Sequence, residues 1–350
     1  MPSPLIWLSV GVAAFAASAT LTTWLVPVLR RHGAVTAPGP DGHGRVVPRG
    51  GGVAIVVVTV AAALSAWLNP GMQGIIAAWL VPAATIAVVS LRDDFRPLPA
   101  AVRLAVHVVA AIAVVAFAGP LRELPLPGAG GITFGAAAWP LTVLWIVGLT
   151  NAFNFMDGID GIAGLTAVAA GGTLAVAAGI AGGSEVAIAA LALAAGGLGF
   201  LTSNWPPAKV FMGDVGSTFC GFSLAGLPLL LPEAGRQAVL PAVALTMWPF
   251  IFDSGLTLLR RIMRRENVFE QHRSHLYQRL VIAGWSHRAV ACVYGSLAAA
   301  GGAIGAAAIV DPALRSAAAN AAAGFLVVVP VLLVALVQAT ETRAVWRISA

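Results

Sequence analysis

Residues 135–161 read GAAAWPLTVLWIVGLTNAFNFMDGIDG. From Gly135 to Phe153 the stretch holds no ionisable side chain, and about 20 mostly apolar residues suffice for a helix to cross a bilayer. Its end is different: Asn151, Asn154, Asp157 and Asp160 fall within eleven residues, with Gly158 and Gly161 among them. An apolar span that runs straight into carboxylates and carboxamides is a membrane helix with chemistry at its end.

The first half of that pattern recurs along all 350 residues. Apolar residues make up 59% of the chain and charged residues 10%, and the mean hydropathy is +0.90. Soluble domains carry about 25% charged residues, so a soluble globular enzyme is excluded. A disordered chain, which needs many charges and few apolar residues, is excluded too. The expected fold class is all-α, a polytopic integral membrane protein with about eleven transmembrane helices in a single domain spanning residues 1–350. The spans read roughly Pro4–Leu29, Gly51–Leu68, Ile75–Leu91, Val102–Gly119, Gly135–Phe153, Ile162–Ile180, Val186–Leu201, Gly216–Leu231, Val239–Leu259, Ala289–Val310 and Ala317–Gln338. The first is not read as a signal peptide, since no basic residue precedes it. Cys220 and Cys292 lie in apolar runs without metal-ligand spacing and are expected to be buried.

With the N-terminus outside and the C-terminus cytoplasmic, the cytoplasmic side holds every one of the 20 basic residues except Arg122, Arg236 and Arg315. The positive-inside rule predicts that bias. The net charge of +6 is therefore a topology signal, and without a basic soluble domain no nucleic-acid partner is expected. The cytoplasmic connections, residues 30–50, 92–103, 150–161, 202–215 and 260–288, carry the dense polar clusters. Ionisable groups at a membrane boundary are costly unless paired, hydrated or metal-bound, which makes these clusters functional candidates.

Asp93-Asp94 is a carboxylate doublet whose mutual repulsion a divalent cation, a basic partner or a shared proton would relieve; a solvated turn is the plain alternative. Asp157 and Asp160 are three apart and would share a face on a helical turn, with oxygen-only ligands that suit a hard cation such as Mg²⁺. The stretch Asn204 to Ser217 contains Phe211, which could stack on a base or anchor at the interface, and Asp214, which precedes a span and suits the positive end of a helix dipole. The longest loop contains His272-Arg273-Ser274-His275, where a helical turn would bring the two histidines to one side. Two histidines do not make a zinc site, and the Arg/His mixture fits phosphate better. Arg45 and Arg49 before Gly50-Gly51-Gly52 form a basic, glycine-rich entry to the second span. Asp253, inside a span, is read as an arginine partner, and His32, His43, His107 and His287 stand alone without assignment.

Carboxylates for a metal and Arg/His groups for phosphates, converging from four loops on one face, suit a diphosphate substrate held with Mg²⁺ and a second substrate drawn from the lipid. The order Asp93-Asp94, then Asn-Phe-Met-Asp-Gly-Ile-Asp-Gly, then Phe-Met-Gly-Asp-Val-Gly-Ser, then His-Arg-Ser-His resembles the polyprenyl-phosphate N-acetylhexosamine-1-phosphate transferase superfamily, glycosyltransferase family 4. The resemblance runs from Pro48 to Arg279. His-Arg-Ser-His-Leu-Tyr-Gln resembles the O-antigen branch, which acts on UDP-sugars such as N-acetylfucosamine or N-acetylquinovosamine; the peptidoglycan branch has consecutive histidines there.

The resemblance implies that Asp93 and Asp94 engage the lipid phosphate, one of them as base or both as orienting groups. It implies that Asp214 is a Mg²⁺ ligand and that Asp157 sits beside the diphosphate and the metal. Asn154, Asp160, Asn204 and Phe211 fall on the substrate side, with Phe211 stacking on uracil; Arg49 joins them, and His272, Arg273 and His275 meet the diphosphate or sugar. The basic residue that follows the doublet in the peptidoglycan branch is not matched, with Arg96 as its substitute. The implied reaction moves a sugar-1-phosphate from a UDP-N-acetylhexosamine (GlcNAc-, QuiNAc- or FucNAc-type) to undecaprenyl phosphate. Mg²⁺ is the expected cofactor, with Mn²⁺ as a stand-in. Membrane lipids and a second copy of the chain as a homodimer are the remaining expected partners, and the setting is a bacterial inner membrane with the site on its cytoplasmic face. The alternatives are phospho-N-acetylmuramoyl-pentapeptide transfer in peptidoglycan synthesis and, from another class, a secondary transporter.

Overall fold

A computed structural model describes residues 4–32, 35–36, 46–67, 73–126, 130–268, 270 and 272–349; Arg45 and His43 lie outside this set. Twelve α-helices carry the fold among the described residues: α1 (Pro4–Arg31), α2 (Val53–Trp67), α3 (Gln73–Phe95), α4 (Ala100–Ala118), α5 (Ala138–Phe155), α6 (Ile162–Ile180), α7 (Ser184–Asn204), α8 (Gly213–Gly226), α9 (Glu233–Met263), α10 (Leu276–Ile282), α11 (His287–Val310) and α12 (Arg315–Ser349). Two small antiparallel ribbons accompany them, β1 (Val35–Thr36) with β2 (Val47–Pro48) and β3 (Glu123–Leu126) with β4 (Gly130–Thr133).

Nine of the described helices are long and apolar enough to cross a membrane. Two shorter helices, the apolar α2 and α8, accompany them, and α8 is prolonged by a 3-10 turn, Leu227–Leu230. They coincide with the second and eighth expected spans, so every expected span falls on a helix. The expected all-α polytopic membrane class is the observed one. α9 begins at Glu233, ahead of its apolar stretch, and is about 46 Å long at 1.5 Å per residue. That exceeds a hydrocarbon core of about 30 Å and carries Arg260 and Arg261 beyond it.

The centre of the bundle is α6, α7 and α8, which are buried along most of their length, and the reason lies in their composition. Alanine and glycine let backbones approach where lipid supplies no hydrophobic drive for association. A Cβ added to Gly52, at the head of α2, would fall on Gly216 Cα of α8, and Gly301 and Gly305 of α11 meet Leu245 and Ala242 of α9 in the same way. Cys220 is buried in α8, but Cys292 is exposed on α11. That corrects the expectation for Cys292: in a membrane bundle an apolar run faces lipid as readily as core. At the end of the bundle away from the polar clusters, Arg236 donates to the carbonyls of Ala118 and Leu231, tying the end of α4 to the 3-10 turn.

Gly52→Ala forces α2 and α8 apart and is expected to cost about 1–3 kcal/mol, read as a lower melting temperature in detergent; an unchanged melt would show that the crossing relaxes freely.

Candidate active site

Asp93 and Asp94 occupy the last turn of α3 and are both buried, but they face different partners. Asp94 reaches the first turn of α8, where its two oxygens accept from the Asp214 amide at 2.9 Å and the Val215 amide at 3.1 Å. Those amides lack intrahelical acceptors, and the helix dipole favours a negative charge beside them. Gly213, with φ +78°, makes the turn; a Cβ there would lie 2.6 Å from an Asp94 oxygen. Asp93 instead closes the α3–α4 connection by accepting from the Leu98 amide and from Arg103 Nη1 at 3.0 Å. The same Arg103 nitrogen reaches Asp214 Oδ2 at 2.9 Å, and Asn154 Nδ2 donates to Asp214 Oδ1 at 3.0 Å and to Ser217 Oγ at 2.9 Å. Asp214 is thus the meeting point of α3, α4, α5 and α8.

Arg103 is the cation beside the doublet. Arg96, expected in that place, offers its backbone carbonyl to Arg92. Arg103 lies in the first turn of α4, and the sequence signal was there, as a base at a span boundary close after two acids.

α5 ends at Phe155, and Asp157 to Gly161 form a loop. The shared helical face expected for Asp157 and Asp160 is therefore not formed, because the glycines end the helix; Gly161 takes φ +80°. The two acids part company. Asp160 is buried, and its Oδ2 accepts from the Ala208 amide at 3.0 Å and lies 3.5 Å from His287 Nδ1. His287, left without assignment in the sequence, belongs to this cluster. Asn204 is also buried. Its carboxamide accepts from Gly161 N and donates to Val210 O, both at 2.9 Å, so it clamps two loops together. Phe211 pairs its backbone with Pro48 and Gly51, forming a bridge to Arg49, and Arg49 is near enough to Asp94 to act on it by charge.

His272 and His275 lie before α10, in irregular backbone and not on the expected helical turn. Their rings still meet, with centroids 5.0 Å apart, and Ser274 Oγ lies 2.9 Å from His272 Nδ1. Arg273 is exposed. Tyr277 Oη donates to Phe155 O at 3.1 Å and packs on Gly158, which docks this segment on the Asp157 loop. Asp253, expected to pair with an arginine, accepts instead from the start of α10 and from Tyr294.

Asp157 is the group in tension. Burial, then Asp214, Asp94 and Asp160, push its carboxyl well above the ordinary 3.8. Among the described residues no three His, Cys, Asp or Glu side chains form a ready metal cage. Mg²⁺ seldom uses one; it is held by one or two carboxylates while water and substrate phosphates fill the rest. Asp157 and Asp214, oxygen donors that repel each other, fit that chemistry.

The profile of glycosyl transferase family 4 matches residues 76–231, a range that contains the doublet and both Asp157 and Asp214. Over 287 residues, 79% of this chain and 79% of the relative, the sequence is 35% identical to a probable undecaprenyl-phosphate N-acetylglucosaminyl 1-phosphate transferase of Bacillus subtilis. It is 34% identical to a phospho-N-acetylmuramoyl-pentapeptide-transferase of Synechococcus sp., across 79% of this chain and 85% of the relative. It is 31% identical to a decaprenyl-phosphate N-acetylglucosaminephosphotransferase of Mycolicibacterium smegmatis, across 81% and 78%.

The raised Asp157 value sets a pH dependence for the metal-free protein. The native state keeps a proton that the unfolded chain has already released, so stability falls as pH rises from 3.8 toward the raised value. In chelator at neutral pH, Asp157→Asn is expected to melt above the wild type, with the gap closing in acid. A gap independent of pH would rule out titration as the cause.

Proposed function

We propose, from the premise that this chain belongs to glycosyl transferase family 4, that it transfers a sugar-1-phosphate from a UDP-N-acetylhexosamine to undecaprenyl phosphate, giving polyprenyl-diphosphate-sugar and UMP. The observation that carries this reading is the meeting of three loop motifs, far apart in sequence, around Asp214, with the fourth docked beside them through Tyr277 on Phe155 and Gly158. The lipid phosphate oxygen attacks the β-phosphorus of the donor, a new P–O bond forms, and the bond to the UMP oxygen breaks. A lipid phosphate is already largely ionised near neutral pH, so it needs orientation more than deprotonation.

The residues divide the work accordingly. Asp94 holds the head of α8 and with it Asp214. Asp214 and Asp157 would hold Mg²⁺, which when bound supplies positive charge to the phosphate oxygens. Arg103, shared between Asp93 and Asp214, is placed to exchange one carboxylate for the incoming lipid phosphate. Phe211 takes the uracil, while Asp160 and Asn204 shape its subsite from behind through the backbone contacts they hold. Arg49, Arg273, His272 and His275 serve the donor's diphosphate and sugar. The setting we assign is the inner membrane with this site on its cytoplasmic face, in accord with the basic bias of those loops.

The donor is a GlcNAc-, QuiNAc- or FucNAc-type UDP-sugar. Two of the relatives are named for N-acetylglucosamine transfer. The His-Arg-Ser-His segment, which lacks consecutive histidines, weighs against the muramoyl-pentapeptide donor of the third.

Purified protein with undecaprenyl phosphate and a panel of UDP-sugars is expected to release UMP with Mg²⁺ and to stop in chelator. Asp214→Asn removes turnover without loss of fold, and near-normal turnover would sink the metal role. Arg103→Ala is expected to raise KM for the lipid phosphate by about tenfold or more, an interaction of about 1.5–3 kcal/mol, with partial recovery in Arg103→Lys; an effect confined to the UDP-sugar KM would move Arg103 to the other subsite.

A further inference from the structure

Asp253 has no part in the chemistry above, yet its carboxylate meets five polar groups. It sits inside α9 and is fully buried. Its Oδ1 accepts from the Leu276 amide at 2.8 Å and lies 3.3 Å from both His275 Nδ1 and Thr257 Oγ1. Its Oδ2 accepts from the Tyr277 amide at 3.1 Å and from Tyr294 Oη at 2.6 Å. Every one of these partners can donate, so the charge of a buried carboxylate is matched from all sides. The chain has two tyrosines, and both are drawn into this network.

The contact with the imidazole carries a consequence beyond anchoring. An ionised carboxylate only accepts hydrogen bonds, so the ring nitrogen facing it is the one that bears hydrogen. Neutral His275 is then the Nδ1–H tautomer, and Nε2, on the far side of the ring, is left as its acceptor. The ring is held on its other sides as well. Tyr277 stacks on it at 5.7 Å and 24°, and the Phe155 ring lies 6.3 Å away. Through Tyr277, which bonds Phe155 O and packs on Gly158, the ring is fixed relative to the Asp157 loop.

We infer that Asp253 is a positioning residue for the transfer: it sets the Nδ1–H tautomer of His275 and pins the first turn of α10, so that the bare Nε2 of His275 accepts from a hydroxyl or N–H of the donor's sugar. The second half of this statement rests on the assignment of His275 to the donor; the tautomer does not. A merely structural N-cap would instead leave the ring nitrogen nearest α10 bare, to accept from the Gln278 amide. The tautomer therefore separates the two roles.

The test is ¹⁵N NMR of the full chain, histidine-labelled in lipid nanodiscs, above the ordinary imidazole pKa, with the six histidines assigned by single substitution. Wild-type His275 is expected to show Nδ1 protonated and Nε2 bare, and D253N to lose that preference. His275 protonated on Nε2 in the wild type overturns the inference. This spectrum needs no variant at Asp253, so D253N failing to fold leaves the test intact. In the transfer assay D253N is expected to lower kcat about 10- to 100-fold with KM little changed. In a His275→Ala background the same substitution is expected to cost less than about twofold, because its effect runs through the missing ring. Losses that multiply in the double variant would reduce Asp253 to an anchor of α10. The predicted tautomer in a protein that turns over no UDP-sugar would support the pairing and remove the transferase reading instead.

Discussion

The contact on which the site depends is the carboxylate of Asp94 against the first-turn amides of α8. An acid buried at the end of a membrane helix is costly to desolvate, and a helix that begins inside a bundle leaves amides without acceptors. Each offsets the other's cost, and the product is a fixed angle between α3 and α8. Ser90 and Thr218, 2.9 Å apart one turn further along, repeat the joint. Asp214 then has no freedom of its own: it is the second residue of a helix whose first turn is held from outside. Arg103 and Asn154 reach it because α4 and α5 pack against the same pair.

A second joint completes the site from the other half of the chain. Asp253 gathers the head of α10, and Tyr277 carries that segment onto the end of α5. Both joints follow one design, a buried carboxylate in one long helix accepting from the first-turn amides of another element. Reacting groups held by helix ends and buried carboxylates keep a geometry that loops alone would not. The glycines serve the same end, since Gly213 and Gly158 admit Asp94 and Tyr277 where a side chain would exclude them.

Much of this was legible before any coordinates. The spans stood out because a stretch without charge has few other places to go, and α6 was read to the residue, Ile162–Ile180. The acids that matter stood out because the chain has so few. Other readings failed for identifiable reasons. Residues three apart share a face only if the backbone is helical, and glycine after Asp157 and irregular chain before α10 removed that condition for Asp157/Asp160 and for His272/His275. The burial of Cys292 could not be judged from an apolar neighbourhood, since lipid is as apolar as the core. Arg103 was visible as a cation at a boundary, but one arginine among several in basic loops carries no mark of its partner. Asn204 and Asp160 were picked out as polar groups in a rich motif, and the fold turns both toward backbone amides and carbonyls.

The amino-acid order is enough to read the class of the protein, its spans and the short segments where polar and ionisable groups cluster, because hydropathy and the scarcity of charge are local properties that a membrane enforces residue by residue. The partners of those groups follow from the packing: Asp94 caps a helix while its neighbour Asp93 takes Arg103, Asp160 is buried while Asp157 is left in tension, and Asp253 faces a histidine. These are differences between residues of the same type, and they come from which partner lies within about 3 Å, a quantity that depends on helices packing from distant parts of the chain.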